Sequence, residues 1–169
     1  MSGLLLIPNP NAARINRQAA RTRFFRASPP VAQIRHIRWA DLEGLPARPG
    51  APSYFAMYSS VWNGIVTDPA MMLVPVDDHL VHRGDGVFET FKCLRGRLYN
   101  LDAHLDRLEA SARAIELELP WSRAELVELI IQTVRAGGRR DALVRLLLGR
   151  GPGSLGVGPD DCPAPSLYI

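Results

Sequence analysis

The sequence predicts an α+β domain of two layers, in which two amphipathic helices cover a mixed, mostly antiparallel sheet. Three observations indicate this fold. Residues 54–66 and 87–99 contain aromatic and β-branched runs that are interrupted by turn dipeptides. Residues 101–134 carry two stripes of apolar side chains at helical spacing. Residues 142–169 are again strand-like, so predicted strands both precede and follow the two helices.

The first strands are expected at residues 54–58 and 61–66, with a turn at Asn63-Gly64. A longer strand is expected at residues 87–94, followed by a hairpin turn at Arg95-Gly96. Side chains in a strand alternate between its two faces. One face of the longer strand therefore carries Val87, Glu89, Phe91 and Cys93.

Two helices follow this hairpin. Asn100 is the expected N-cap of the first helix. The apolar stripe of that helix contains Leu101, Leu105, Leu108, Ala112 and Ile115. The second helix is expected to begin at the capping box formed by Ser122 and Glu125 and to end at Gly137-Gly138. Its stripe contains Leu126, Leu129, Ile130 and Val134.

The remaining segments are an apolar strand at residues 142–148, a glycine-rich loop at 149–158 and a strand that begins at 166. Natural chain ends are usually polar and frayed. Because the sequence stops within an apolar strand, we expect it to be the first part of a longer protein. We also expect residues 142–169 to expose apolar surface where a further domain would pack.

Charge divides the chain into segments. Residues 1–40 contain seven arginines and no acidic residue, and the remaining residues carry a formal charge of −4. This basic segment is typical of an organelle-targeting sequence, and a disordered extension is the alternative. Residues 41–53 are rich in proline and predict a linker, which leaves 54–169 as the folded domain. The location expected is the cytoplasm, or a mitochondrial or plastid matrix if residues 1–40 direct import.

Composition excludes several classes of protein. Apolar residues make up 47% of the chain and charged residues 22%, which is a globular composition. The acidic balance outside the basic segment disfavours a nucleic-acid-binding domain. No apolar run is long enough to predict a transmembrane helix. Two cysteines among 169 residues do not form a disulfide framework.

The densest cluster of polar residues lies at 77–86. Asp78, His79 and His82 are residue types that bind zinc or iron, so a metal-dependent hydrolase is one interpretation. The spacing matches none of the common helical metal motifs, and Gly84 and Gly86 argue against a helix here. A polar turn before the strand at 87–94 is the other interpretation.

Three arginines are candidate anion-binding residues because a guanidinium group matches phosphate and carboxylate geometry. Arg107 lies beside the apolar stripe of the first helix, where it is either an anion anchor or a solvated surface residue. Arg145 and Arg150 interrupt an apolar strand and its loop. If either is buried, it requires an anionic ligand or a carboxylate partner; otherwise it faces solvent.

Two motifs together resemble those of a known family. Residues 78–89 (Asp-His-Leu-Val-His-Arg-Gly-Asp-Gly-Val-Phe-Glu) are followed by residues 104–108 (His-Leu-Asp-Arg-Leu). This combination resembles the class IV (fold type IV) pyridoxal-phosphate enzymes, which include D-amino acid and branched-chain aminotransferases and 4-amino-4-deoxychorismate lyase. The chain is most similar to the plant-type D-amino acid transaminase and lyase branch, over residues 54–169.

The resemblance implies that residues 54–169 form the small N-terminal domain of such an enzyme and that Arg107 binds the phosphate of pyridoxal 5′-phosphate. The substrate would be an amino acid and a keto acid, or aminodeoxychorismate. The candidates for the substrate pocket are Arg83, Phe88, Thr90, Arg145 and Arg150.

The resemblance also implies that the Schiff-base lysine lies beyond Ile169, in the large domain. Lys92 is the sole lysine of the sequence and does not correspond to that position. We therefore expect no catalytic residue within this chain, no turnover by the chain alone, and a homodimer when the protein is complete. A non-catalytic partner domain is the alternative to an enzyme portion.

Overall fold

The computed structural model describes residues 37–42 and 54–169. The strands are β1 (Met57–Ser59), β2 (Gly64–Val66), β3 (Gly86–Leu94), β4 (Arg97–Leu98), β5 (Ala142–Gly149) and β6 (Ser166–Tyr168). The helices are α1 (His79–His82), α2 (Leu101–Ala114) and α3 (Arg123–Ala136). The predicted two-layer α+β fold is confirmed.

The six strands form one sheet in the order β2-β1-β6-β5-β3-β4. Every strand pair in this sheet is antiparallel, so it is not mixed. The pair β3–β5 has the longest register in the sheet, from Gly86 opposite Gly149 to Cys93 opposite Ala142. The predicted alternation holds along β3, because Glu89, Phe91 and Cys93 are buried while Phe88 and Lys92 are exposed.

The first hairpin is shorter than its sequence predicts. β1 begins at Met57 rather than at residue 54, and Val61 and Trp62 lie in the turn rather than in a strand. Trp62 is exposed, so an aromatic side chain in this segment does not indicate burial. Asn63 has a φ of 47°, a left-handed conformation that asparagine tolerates in turns, and it lies in the predicted turn.

Helix α2 packs its stripe on β3, with Leu105, Leu108 and Ala112 buried. One expectation for this helix is confirmed in position only, and another is wrong. Asn100 occupies the N-cap position, but its backbone is left-handed (φ 51°, ψ 34°) and its side chain accepts no capping hydrogen bond. Ile115 lies just beyond the helix as its C-cap and is exposed, because the chain leaves the helical path there.

Helix α3 begins and ends where the sequence predicts. Ser122 Oγ accepts a hydrogen bond from the backbone N–H of Glu125, and the Glu125 carboxylate accepts one from the backbone N–H of Ser122. The Ser122 hydroxyl also donates to the Glu125 carboxylate, and this bond, together with the one from the Ser122 backbone N–H, lowers the pKa of Glu125. Gly137 is the C-cap, and Gly138 follows with a φ of +64°. The capping box and the glycine end of this helix are therefore confirmed.

The face of the sheet opposite α2 is covered only in part. At β6 this face lies beneath the segment that contains α1, and there the Tyr168 hydroxyl donates a 2.6 Å hydrogen bond to the buried Asp78 carboxylate. The rest of this face, around Phe88 and Leu143, is exposed. We call the surface formed by Phe88, Thr90, Lys92, Leu143 and Arg145 the open face.

The expectation of no helix at residues 77–86 is wrong. Asp78 caps α1 by accepting a hydrogen bond from the Leu80 N–H, and one helical turn forms. Gly84 and Gly86 lie after that turn, so they limit the helix to His79–His82 rather than preventing it. Gly84, with a φ of +68°, then reverses the chain toward β3.

The expectations for residues 1–36 and 43–53, a basic extension and a linker, lie outside the described residues. Between these segments, Trp39–Asp41 form a single 3-10 turn. Within the part of the chain that the structure describes, no helix has the length and apolar character needed to cross a membrane.

Candidate active site

Arg107 is held by a buried carboxylate. Its Nε and Nη2 donate hydrogen bonds of 2.6 Å each to Oε1 and Oε2 of Glu89. Glu89 lies on the α2 face of β3 with its side chain 3% exposed, whereas the Arg107 side chain is 64% exposed. The prediction that Arg107 lies beside the apolar stripe of the helix is confirmed. The guanidinium group is thus solvent-accessible but fixed from beneath.

The ion pair shifts the pKa values of both partners. The Arg107 guanidinium holds the pKa of Glu89 below its usual range, and hydrogen bonding from His104 acts in the same direction against the effect of burial. Glu89 in turn raises the pKa of Arg107. Both groups are therefore charged at neutral pH.

Arg107 fits a phosphate ligand as one contact of a larger set. A guanidinium group has five N–H donors, and the pair with Glu89 uses two of them. Among the described residues, no hydrogen bond is made by Nη1 of Arg107. These free donors on an exposed cation suit an anion, but one guanidinium paired with a carboxylate does not neutralise a phosphate dianion.

Three predicted pocket residues come together on the open face. Thr90 lies directly opposite Arg145 in the β3–β5 register. The Arg145 Nε donates a 3.1 Å hydrogen bond to the Thr90 hydroxyl, and its guanidinium carbon lies 5.6 Å from the centroid of the Phe88 ring. Arg145 itself is exposed and has no carboxylate partner among the described residues.

A cavity of about 680 Å³ adjoins this cluster. Thr90, Leu143, Arg145 and Leu147 line one part of it, and Tyr168 lies in its wall. The lining is mostly apolar, with two cations, Arg139 and Arg145. Such a cavity suits an organic molecule that carries a carboxylate group.

Arg150 has a structural role in this fold. Its Nε donates to the Asp85 carboxylate at 2.9 Å, and its two other nitrogens donate to the backbone carbonyls of Ile115 and Glu116. It joins the glycine turn before β3 to the end of α2. The predicted carboxylate partner of a half-buried arginine is therefore Asp85, and Arg150 lies apart from the cluster on the open face.

Arg83, the remaining pocket candidate, is exposed at the C-cap of α1. The residues proposed as metal ligands have other partners. Asp78 accepts hydrogen bonds from Leu80 and Tyr168, and Nε2 of His79 lies 3.1 Å from the Ser154 carbonyl oxygen. Within residues 37–42 and 54–169, no group of three or more His, Cys, Asp or Glu side chains could hold a metal ion.

Sequence reasoning missed two features of this region. It placed Glu89 on the face of β3 that proves to be buried, but it predicted no partner for the carboxylate. The signal was present, because His104 and Arg107 lie one turn apart on the helix that covers that strand. The buried pair of Asp78 and Tyr168 left no signal, since the two residues are 90 positions apart.

Comparison with known protein families identifies the family of this part of the chain. The sequence model of the amino-transferase class IV family matches residues 86–169, a range that includes β3, α2, α3 and β5. This part of the chain belongs to the class IV aminotransferase family. The predicted resemblance is therefore confirmed.

Two curated relatives and one solved structure are representative of this class IV family. The chain is 48% identical over 119 residues to the chloroplastic D-amino-acid transaminase of Arabidopsis thaliana, covering 70% of this chain and 32% of that protein. It is 40% identical over 93 residues to the bifunctional aminodeoxychorismate lyase/D-amino acid transaminase of Mycobacterium tuberculosis, covering 53% and 32%. The structure of a hypothetical aminotransferase from Mycobacterium tuberculosis, in its PLP-bound form, superposes with a TM-score of 0.52 at 30% identity, covering 67% of this chain and 37% of that one.

The chain thus spans about a third of the length of the curated class IV relatives that it matches. The family uses pyridoxal phosphate. Lys92, the sole lysine of this class IV chain, is exposed on the open face opposite Leu143. In the described residues it makes no salt bridge.

Proposed function

We propose that this chain forms the small-domain part of a pyridoxal-phosphate-dependent D-amino acid transaminase. The observation that carries the proposal is the 48% identity over 119 residues to the chloroplastic D-amino-acid transaminase of Arabidopsis thaliana. The family model covers residues 86–169, which include Arg107 and Arg145. Pyridoxal phosphate, when bound, supplies an electron sink for chemistry at the α-carbon of an amino acid. The residues of this chain bind and orient; they do not supply the catalytic lysine.

Arg107 is the proposed phosphate contact. Its exposure, its fixed orientation and its free Nη1 support this role. Because Glu89 cancels much of its charge, Arg107 cannot hold the cofactor by itself, and we expect weak cofactor binding by the 169-residue chain. The further contacts belong to the portion of the class IV fold that this chain does not span.

Arg145 is the proposed contact for the substrate carboxylate. The Thr90 hydroxyl and the Phe88 ring hold its guanidinium over the open face at the edge of the cavity. A guanidinium without a carboxylate partner binds a substrate carboxylate through two parallel hydrogen bonds. The adjoining apolar lining would contact the side chain of the amino acid.

A chimera tests this function directly. Residues 54–169 would replace the matching part of the Arabidopsis transaminase, and the rate of amino transfer from a D-amino acid to a 2-oxo acid would be measured. We expect an active chimera, a higher KM in its Arg145→Gln variant, and loss of bound cofactor on dialysis of its Arg107→Gln variant. A folded chimera without activity beside an active parent enzyme contradicts the proposal.

Lys92 provides a second test within the same chimera. Lys92→Arg should retain transaminase activity, because the catalytic lysine is contributed by the rest of the enzyme. If this variant is inactive while its cofactor binding is unchanged, the assignment of the catalytic lysine is wrong. A 169-residue chain that turns over unaided would lead to the same conclusion.

A lyase acting on aminodeoxychorismate is the second candidate. The 40% identity to the bifunctional Mycobacterium tuberculosis protein favours it. Pyruvate release from aminodeoxychorismate by the same chimera, measured beside amino transfer, separates the two reactions. Release of pyruvate without amino transfer would replace the transaminase assignment.

Dimerisation and targeting complete the proposal. We propose a homodimer for the complete enzyme, and light scattering of the chimera tests it. The exposed side chains of Leu143, Leu155 and Val157 fit the expectation of apolar surface in residues 142–169, although β6 itself is buried.

We also propose that residues 1–40 direct import into an organelle, which a fluorescent-protein fusion carrying only those residues tests by microscopy.

A further inference from the structure

Glu89 is a charged residue on a strand face whose other side chains are apolar. It lies between Val87 and Phe91 on the face of β3 that packs against α2, and it is almost completely buried. A carboxylate in such a position destabilises a fold unless it is paired and hydrogen-bonded. The residue is paired on both oxygens, and both of its side-chain partners lie on α2.

The geometry of the pair fixes the plane of the Arg107 guanidinium. The two hydrogen bonds run side by side from Nε and Nη2, so rotation of the group about its bonds breaks at least one of them. An exposed arginine normally samples many rotamers and loses that freedom when it binds an anion. Arg107 has already lost much of this freedom through its pair with Glu89.

His104 stabilises the carboxylate from a second side. Its Nδ1 lies 2.8 Å from Oε2 of Glu89 and 3.2 Å from Nη2 of Arg107. Only one of these two contacts is a hydrogen bond, because a single ring nitrogen either donates or accepts. A carboxylate only accepts and a guanidinium only donates, and the shorter contact is to the carboxylate. Nδ1 of His104 therefore carries a hydrogen, and this N–H donates a hydrogen bond to Glu89.

We propose that Glu89 is a positioning residue for cofactor binding: it holds Arg107 by Nε and Nη2 so that Nη1 is presented to the phosphate group. This inference rests on the phosphate role proposed for Arg107. His104 orients the carboxylate. Glu89 does not touch the cofactor, and its negative charge by itself opposes phosphate binding. Positioning and electrostatics therefore predict opposite effects when the charge is removed.

Glu89→Gln in the full 169-residue chain distinguishes these effects. The probes are pyridoxamine 5′-phosphate and pyridoxamine, which lack the aldehyde that would react with Lys92. We expect the variant to bind pyridoxamine 5′-phosphate about tenfold more weakly, with pyridoxamine binding unchanged. Glu89→Asp, which keeps the charge but shortens the reach, should show the same loss. Glu109→Gln is the matched control on α2 and should bind as the wild type.

A second readout does not depend on the ligand. The exchange of the Arg107 Nε proton with water is followed by nuclear magnetic resonance, with the signal assigned from the Arg107→Lys variant. We expect slow exchange in the wild type and in Glu109→Gln, and about tenfold faster exchange in Glu89→Gln. Exchange in the wild type as fast as that of Arg113, an exposed arginine on the same helix, would overturn the proposal.

The outcomes separate this inference from the proposed function. If the wild type prefers pyridoxamine 5′-phosphate to pyridoxamine but Glu89→Gln binds it equally or more tightly, only the positioning role is overturned. If the wild type shows no preference, the phosphate role of Arg107 fails and the positioning role fails with it. If Glu89→Gln does not fold, Glu89→Asp and His104→Gln carry the comparison, and affinities equal to the wild type in both overturn the proposal.

Discussion

Tyr168→Phe tests whether the buried pair with Asp78 holds the α1 segment on the sheet. The hydroxyl of Tyr168 donates a 2.6 Å hydrogen bond to a carboxylate that is completely buried. Burial, and then the nearby Asp78 carboxylate, raise the pKa of Tyr168, so the hydroxyl stays protonated over the working pH range. Removal of the hydroxyl leaves Oδ2 of Asp78 without this donor inside the protein.

The expected loss of stability follows from the charge of the acceptor. A hydrogen bond to a charged group contributes about 1.5–3 kcal/mol, so we expect Tyr168→Phe to lower the free energy of unfolding by about 2 kcal/mol. With an m-value of about 2 kcal/mol per molar urea, the unfolding midpoint falls by about 1 M. In an Asp78→Asn background the acceptor is neutral, and the same change should cost about 1 kcal/mol.

Urea unfolding followed by tryptophan fluorescence provides the measurement. The four chains of the double-mutant cycle are the wild type, each single variant and the double variant. Tyr99→Phe is the matched control, because Tyr99 is exposed and should shift the midpoint little. A loss below about 0.5 kcal/mol for Tyr168→Phe, or equal losses in both backgrounds, would refute the reasoning.

Three further predictions concern charge, backbone conformation and capping. The pKa of Glu89 is lowered in the folded chain, chiefly by Arg107. The charged carboxylate therefore stabilises the fold above the unfolded pKa of about 4.3, and this contribution is lost as pH falls through the folded pKa. The free energy of unfolding should depend less on pH in Glu89→Gln than in the wild type. Gly151→Ala should abolish soluble expression, because Gly151 has a φ of +102° and an added Cβ would collide with the backbone carbonyl oxygen of Ala164. Gly84→Ala, also at positive φ but with open space, should cost only about 1 kcal/mol in a urea titration. Ser122→Ala removes the capping box of α3 and should lower the free energy of unfolding by about 1 kcal/mol, and an unchanged midpoint would contradict that role.

Local patterns predicted most of the secondary structure. The alternation along β3, the capping box of α3 and the apolar run of β5 each depend on neighbouring residues, and each is confirmed. The errors also have local causes. Asn100 and Trp62 have side chains that suit a cap and a strand, but the backbone adopts other conformations there because the flanking turns set its direction.

The candidate site was predictable only as a set of residues. The resemblance implied roles for Arg107 and for the pocket candidates Arg83, Phe88, Thr90, Arg145 and Arg150. Neither the motifs nor the periodicity gave a means of ranking Arg150 below Arg145. The structure pairs Arg150 with Asp85 and two backbone carbonyls, whereas Arg145 meets a hydroxyl and a ring. The difference arises because β5 ends at Gly149, where the chain leaves the open face.

The sequence by itself determined the α+β class, the positions of the two long helices and membership of the class IV family, because these follow from short-range periodicity and contiguous motifs. The tertiary structure decided the partners of buried charges. Glu89 and Arg107 are 18 positions apart and Asp78 and Tyr168 are 90 apart. Such pairs form when packing excludes water from a charged group and an opposing donor is the nearest group that can satisfy it.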